Sequence, residues 1–310
     1  MEDEATSRRA ARFGVFGDLP TRLLIHALPR VPWFLEPALL RMWTGLFFLI
    51  AAGQRRAVRH NLRALHPAWG KTRALWGAWR VFLHFAATYL DALRCETGTG
   101  DVDWEIEGLA TFEDLASRKE GCILLTAHMG NYDLAAPMFS ARFGRVLYAV
   151  RAPEREPEMQ KIREEELRRK EAKHPNFRIL YNTPDGMLGV ELSRHLREGA
   201  IVAVQGDRVM FDVSPMDCEV RPGLRMRLPK GPLFLARATG APCFPVFITR
   251  RGWRRYRVTV LPPLELPERR RGNDDEAVKI WADAVFSFTA AHWDQWFVFE
   301  NMLERTDGGR

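Results

Sequence analysis

Two spacings divide the chain. Short apolar runs closed by Gly, Asn, Asp or Arg predict buried strands, and apolar residues recurring every three or four positions predict helices. Strand-like runs cover residues 102–106, 122–125, 145–150, 178–181 and 200–208, the last ending in the polar group Gln205, Gly206, Asp207 and Arg208. Residues 246–249 and 256–261 predict two paired strands with Gly252 in the turn. Helices are predicted at 111–119, 154–174 and 187–197, and again from 276. The helix at 154–174 mixes both charge signs with few apolar residues and is read as exposed, with no chemistry assigned to it. Strands alternating with helices predict an α/β fold: one domain with a mixed central sheet flanked by helices on both faces.

The first part of the chain follows a different pattern. Residues 1–12 are charged, and 13–52 are rich in Leu, Phe and Trp interrupted by Pro20, Pro29, Pro32 and Pro37. The longest uncharged piece, 42–54, is shorter than the roughly 20 apolar residues needed to span a bilayer. It reads equally as an interfacial anchor flanked by Arg41, Arg55, Arg56 and Arg59, or as a buried helix. Arg55, Arg59 and Arg63 then fall on one helical face, and Trp76, Trp79, Leu83, Ala86, Leu90 and Leu93 follow helical spacing as a core stripe. The expected organisation is a membrane-associating segment over 1–54 and a catalytic α/β domain over 55–310.

Composition narrows the partners. With 46% hydrophobic and 27% charged residues the chain supports a sizeable core, while a net charge of +7 calls for an anionic partner. Four cysteines without a CxxC pair read as buried thiols in a reducing compartment, so neither a disulfide nor a zinc site is expected. The start of the chain does not read as a cleavable secretory signal. GxSxG, P-loop, HExxH and CxxC motifs are missing, which argues against serine hydrolases, P-loop NTPases, common zinc peptidases and thioredoxins.

The chemistry concentrates in residues 121–136, GCILLTAHMGNYDLAA. An apolar strand runs into a small, polar turn and then a helix, with Asn131 as the expected N-cap and Asp133 in the first helical turn. His128 therefore lies at the mouth of a strand with a carboxylate nearby, which is the pairing of a base with the group that orients it. Arg151, at the end of the next strand, has the fork that suits an oxyanion or a phosphate. Gly231 and Pro232, after Lys230, open a helix whose N-terminus suits an anion.

TAHMGNYD resembles the His-four-residues-acid block of the lysophospholipid acyltransferase superfamily. In particular it resembles the HxGNxE/D block of the bacterial lipid A late acyltransferases and the related phosphatidylinositol mannoside acyltransferases. Pro229, Gly231, Pro232, Leu235, Ala236, Thr239, Gly240, Ala241, Pro242 and Pro245 follow a second block of that family, and Arg59, Asn61, Leu62 and Pro67 a third. Asp133 stands where many lipid A enzymes carry Glu. The resemblance implies a closing helix and a QW-aromatic run, here Gln295-Trp296-Phe297, and a polar strand end at Gln205, Asp207 and Arg208 beside the catalytic His, with either Asp207 or Gln205 steadying that His or the acceptor sugar.

The resemblance further implies transfer of a fatty acyl chain from acyl carrier protein or acyl-CoA to a hydroxyl of a membrane glycolipid such as a lipid A precursor. His128 is expected as general base and Asp133 as the group holding its tautomer. Gly130, Asn131, Arg151, Gln205, Asp207, Arg208, Lys230 and Gly231 are expected to bind the substrate or the oxyanion. No cofactor, metal or nucleic acid is expected. The expected location is the cytoplasmic face of the bacterial inner membrane, held peripherally or monotopically against anionic lipid. Two alternatives stay open: acylation of a glycerophospholipid or another lipid alcohol, and a peripheral membrane-binding protein without catalysis.

Overall fold

A computed structural model describes residues 31–306, except 33, 155–156, 183–186, 210–213 and 268–273. The expected readings of residues 1–30 lie outside these. Three helices come first: α1 (Glu36–Ile50), α2 (Ala52–Leu65) and α3 (Lys71–Thr97). The α/β part then runs β1 (Asp103–Glu107), α4 (Leu109–Ser117), β2 (Cys122–Thr126), α5 (Tyr132–Ser140), β3 (Leu147–Arg151), α6 (Pro157–Lys173), β4 (Phe177–Tyr181), α7 (Leu188–Arg197) and β5 (Ile201–Gln205). It continues through β6 (Pro215–Arg221), β7 (Leu224–Pro229), α8 (Lys230–Thr239), β8 (Cys243–Gly252), β9 (Arg255–Val260), α9 (Asp274–Ala291) and β10 (Leu303–Arg305).

Seven strands form the main sheet in the order β1-β9-β8-β2-β5-β3-β4. Every pairing is parallel except the β8/β9 hairpin, so the sheet is mixed as expected. The strands at its centre are buried on both faces, which is why Cys122–Thr126 reads as an unbroken apolar run. Alternate residues of these strands feed two separate cores. Ile123, Leu125, Val202 and Val204 pack with Trp281, Val285 and Phe286 of α9. Cys122, Leu124, Ile201, Leu147 and Phe177 face the opposite way, with Phe112 and Leu115 of α4 and Ala135 of α5.

Three features differ from the expectations. Residues 221–230 are not merely a basic stretch: β6 and β7 form an antiparallel hairpin, joined by β10 in a second, three-stranded sheet. Leu224, Met226 and Leu228 point inward while Arg225 and Arg227 point out, a two-residue period partly hidden by the charge. In α3 Leu90 and Leu93 are buried as expected, but the first half of the buried stripe runs through Ala74, Gly77, Ala78, Val81 and Phe82, and Trp76 is 62% exposed. Small residues carry the contact because α2 and α3 pack closely; a Cβ on Gly77 would lie 2.9 Å from Leu62. Finally, the apolar piece at 42–54 is divided between α1 and α2, which meet at the buried Ala51, so a boundary at 54 falls inside α2.

α1 is 15 residues long, and no helix among the described residues is long and apolar enough to cross a membrane. One side of α1 is tied down by Glu36, which is buried and ion-paired to Arg94 and Arg254. The other side exposes Leu35, Leu39, Met42, Leu46, Leu49 and Ile50 at helical spacing.

Candidate active site

The register of two neighbouring strands builds the centre of the site. β2 and β5 run parallel with Thr126 opposite Gln205, so the residues two positions beyond each, His128 and Asp207, meet at the carboxyl end of the sheet. His128 Nδ1 lies 2.8 Å from Asp207 Oδ1, and the His128 backbone N–H donates to Asp207 Oδ2 at 2.9 Å. Trp296 Nε1 donates to the same Oδ2 at 2.8 Å. Asp207 is completely buried. Burial pushes its carboxyl up, but the charge of His128 and the bonds from its ring, its backbone and Trp296 more than offset this, and the group is held below the usual carboxylate range. An ionised carboxylate only accepts, so Nδ1 carries the proton and Nε2 is left as the basic nitrogen.

This corrects the expected partner of His128. Asp133 does not hold the tautomer; its Oδ1 accepts from Arg151 Nη1 at 2.8 Å. The reason is directional. Asp133 sits in the first turn of α5, which packs against β3, and Arg151 closes β3. Burial acts to raise the Asp133 carboxyl, and the Arg151 guanidinium beside it brings it below its ordinary range, with a smaller contribution from His128. Arg151 is held charged by the same pairing.

Beneath His128 a cavity of about 700 Å³ opens between the sheet and α4 and α5. Its walls are layered by strand register. Thr126, Gln205 and Arg151 form the upper layer. Leu124, Ala203, Ala149 and Ile179 form the middle layer, and Leu147 and Phe177 the floor. Two alanines side by side on β5 and β3, facing Ala135 and Ala136 of α5, leave the space that larger side chains would fill. Below the upper layer the walls named here are all carbon. Tyr132 also lines the cavity near His128, with ring centroids 5.8 Å apart, and burial pushes its hydroxyl up to about 12.

The other expected residues divide in two. Arg208 and Gln205 line the cavity, and Arg208 Nη2 is paired to Glu300 Oε1 at 2.6 Å. Gly130 and Asn131 do not line it and instead build the turn. Gly130 has φ +54 and approaches β8 so closely that a Cβ would meet the Ile248 carbonyl oxygen at 2.1 Å. Asn131 occupies the N-cap position of α5, but its side chain makes no cap bond; its Nδ2 donates to the Thr88 carbonyl at 3.2 Å, tying the turn to α3. Lys230 and Gly231 begin α8 at the end of the second sheet and do not line the cavity.

Arg163 escaped the sequence reading, and Trp296 was read only as part of the QW run. Arg163, from the charged helix α6, lines the cavity beside Glu154 and pairs with Glu166 at 2.8 Å. Trp296 is only 6% exposed, and the strand bridge between Met129 and Trp296, with Phe297 N donating to the His128 carbonyl at 2.7 Å, brings its indole to Asp207. That segment is anchored by Gln295, which bonds both backbone groups of Arg250, and by Asn61, which bonds Glu300 O, Met302 N and Leu303 N. A QW pair is visible in the sequence, but nothing there says what the indole touches. Among the described residues no cluster of His, Cys, Asp and Glu is arranged to hold a metal.

A family model for bacterial lipid A biosynthesis acyltransferases matches residues 24–305. Curated proteins gave no match to the chain. With nearly its whole length covered by that model, the chain belongs to the bacterial lipid A biosynthesis acyltransferase family.

Proposed function

Taking an acyltransferase of lipid A biosynthesis as the premise, we propose that this protein moves a fatty acyl chain from a thioester, on acyl carrier protein or coenzyme A, to a hydroxyl of a membrane glycolipid such as a lipid A precursor. The observation that carries this is the continuity of His128 with the carbon-walled cavity: a base stands at the mouth of a space shaped for hydrocarbon. His128 Nε2 takes the proton of the acceptor hydroxyl as its oxygen attacks the thioester carbonyl carbon. The C–O bond forms and the carbonyl π pair moves onto oxygen. Collapse of that intermediate breaks the C–S bond, and the proton on Nε2 passes to the departing sulfur. Ester and thiol result, with no covalent enzyme intermediate.

In this mechanism Asp207 is the orienting carboxylate and stabilises the imidazolium. Asp133 acts one step away, fixing Arg151 at the cavity mouth and adding negative charge near His128. The exposed apolar stripe of α1, with Arg41 and Arg56 exposed nearby, supports a peripheral seat on an anionic bilayer, on the cytoplasmic face where thioester donors are made. The basic net charge suits both that surface and an acidic carrier protein.

The test offers labelled acyl carrier protein and acyl-CoA, with a membrane lipid extract, to the wild type and to His128→Ala. Labelled lipid is expected from the wild type only, at least about 10²-fold above the variant, and mass spectrometry of the product names the acceptor. A glycerophospholipid product would replace the glycolipid reading. No transfer from either donor would leave a membrane-binding protein, and equal transfer by both proteins would remove His128 from the chemistry.

A further inference from the structure

Packing alone does not account for the indole of Trp296. It is 6% exposed and belongs to the same core as Trp281, which is fully buried on α9. The Trp281 Nε1 has no hydrogen-bond partner among the described residues, so this core holds an indole without using its N–H. The Trp296 N–H is used, and it donates to Asp207 Oδ2 at 2.8 Å.

The Asp207 carboxylate takes part in three bonds. Oδ1 faces the His128 ring, and Oδ2 accepts from the His128 backbone N–H and from the indole, which lies 89 residues further along the chain. Two donors on Oδ2 oppose rotation about the Cβ–Cγ bond, and so keep Oδ1 aimed at Nδ1. Bonds to a charged acceptor are the stronger kind, and a carboxylate shut off from water depends on them to stay ionised.

The segment that carries Trp296 is anchored on three sides. Asp294 pairs with Arg80 and His84 of α3, Gln295 bonds both backbone groups of Arg250 on β8, and Phe297 N donates to the His128 carbonyl. Residues 294–297 therefore hold the backbone of the base and its orienting carboxylate at once. The other charged or titratable groups at this rim are engaged elsewhere: Arg208 with Glu300, Asp133 with Arg151, and Tyr132 with Gln205.

We infer that Trp296 is a positioning residue for acyl transfer, whose indole N–H locks the Asp207 carboxylate in the orientation that holds the His128 ring and leaves Nε2 free as the base. The inference rests on the acyl-transfer reading above. Trp296 exchanges no proton; it acts through Asp207.

The experiment replaces the Trp296 indole by benzothiophene, an unnatural side chain of the same shape with sulfur in place of N–H. That protein, Trp296→Phe and the wild type are compared in steady-state acyl transfer across pH, with thermal unfolding alongside. The benzothiophene protein is expected to lose about 10- to 10²-fold in kcat with KM nearly unchanged, as for one bond to a charged group. The acid limb of its kcat/KM profile is expected to move to higher pH, because a carboxylate with one donor fewer holds the proton of the His128–Asp207 pair more tightly. Trp296→Phe is expected to show both changes and a lower melting temperature, since the smaller ring leaves a void. The proposal is overturned if the benzothiophene protein keeps the wild-type kcat, or if its acid limb stays in place. A Trp296→Phe protein that loses stability alone would also overturn it and leave Trp296 as packing. Absence of transfer by the wild type itself would overturn the acyl-transfer reading, and this inference with it. A wild type that transfers beside an indifferent Trp296 would overturn this inference only.

Discussion

The two faces of β2 and β5 differ by one residue in register and by everything in consequence. On one face Ile123, Leu125, Val202 and Val204 are at most 5% exposed and pack solidly against α9. On the other, Leu124 and Ala203 lead up to Thr126 and Gln205, and the space beneath α5 stays open as a cavity of about 700 Å³. The packed face makes the sheet rigid. The hollow face uses that rigidity, because the same strands set the register that brings His128 to Asp207. A cavity here is thus a matter of which alternate positions hold alanine, and the proposed catalysis a matter of what stands two residues past each strand end.

The sharpest way to break the comparison is at its upper rim. Asp207→Asn keeps the shape but removes the ionised acceptor, and is expected to lower acyl transfer by about 10²–10⁴-fold. Asp133→Asn, which loosens Arg151 but leaves the His128 bond intact, is expected to cost less in the same assay. The sign of the pH effect follows from the lowered carboxyl of Asp207. Its stabilising contribution is complete above the ordinary value of 3.8 and is lost as pH falls through the depressed folded value. Acid titration of unfolding should therefore lose part of its slope in Asp207→Asn.

Next in size is the packed face. Leu125→Ala, at a fully buried position, is expected to cost about 2–5 kcal/mol in denaturant unfolding, without altering which acyl chain the enzyme prefers. A change in chain preference from that variant would mean that the two faces are not independent.

The sequence carried the main sheet well because its central strands are short, apolar and ended by turn residues. It carried the β6/β7 hairpin poorly, because arginines on the outward positions mask the period of Leu224, Met226 and Leu228. Residues brought near by local sequence were legible: His128, Arg151 and the polar end of β5 all line or adjoin the cavity. What local sequence left open was the choice of partner across the fold: Asp133 was expected to hold the tautomer, with Asp207 or Gln205 only as groups that steady the His or the sugar. His128 has a carboxylate five residues away, yet its partner is 79 residues away, set by strand register. Trp296 reaches Asp207 through a bridge that no local pattern announces. Asn131 and Gly130 looked chemical because they flank His128, and they serve the backbone geometry of the turn.

The central claim is that the hollow face holds the acyl chain, and Ala203→Leu tests it most directly. Leucine at that position projects about three extra carbons into the middle layer of the cavity, where each displaced methylene forfeits about 0.8 kcal/mol of burial. Purified wild type and variant are offered thioesters of graded chain length with a lipid A precursor, and the relative kcat/KM for each length is measured. The account predicts that the preferred chain becomes shorter in Ala203→Leu while its best substrate is still transferred efficiently. An unchanged chain-length profile, in a variant that folds and transfers, would contradict it.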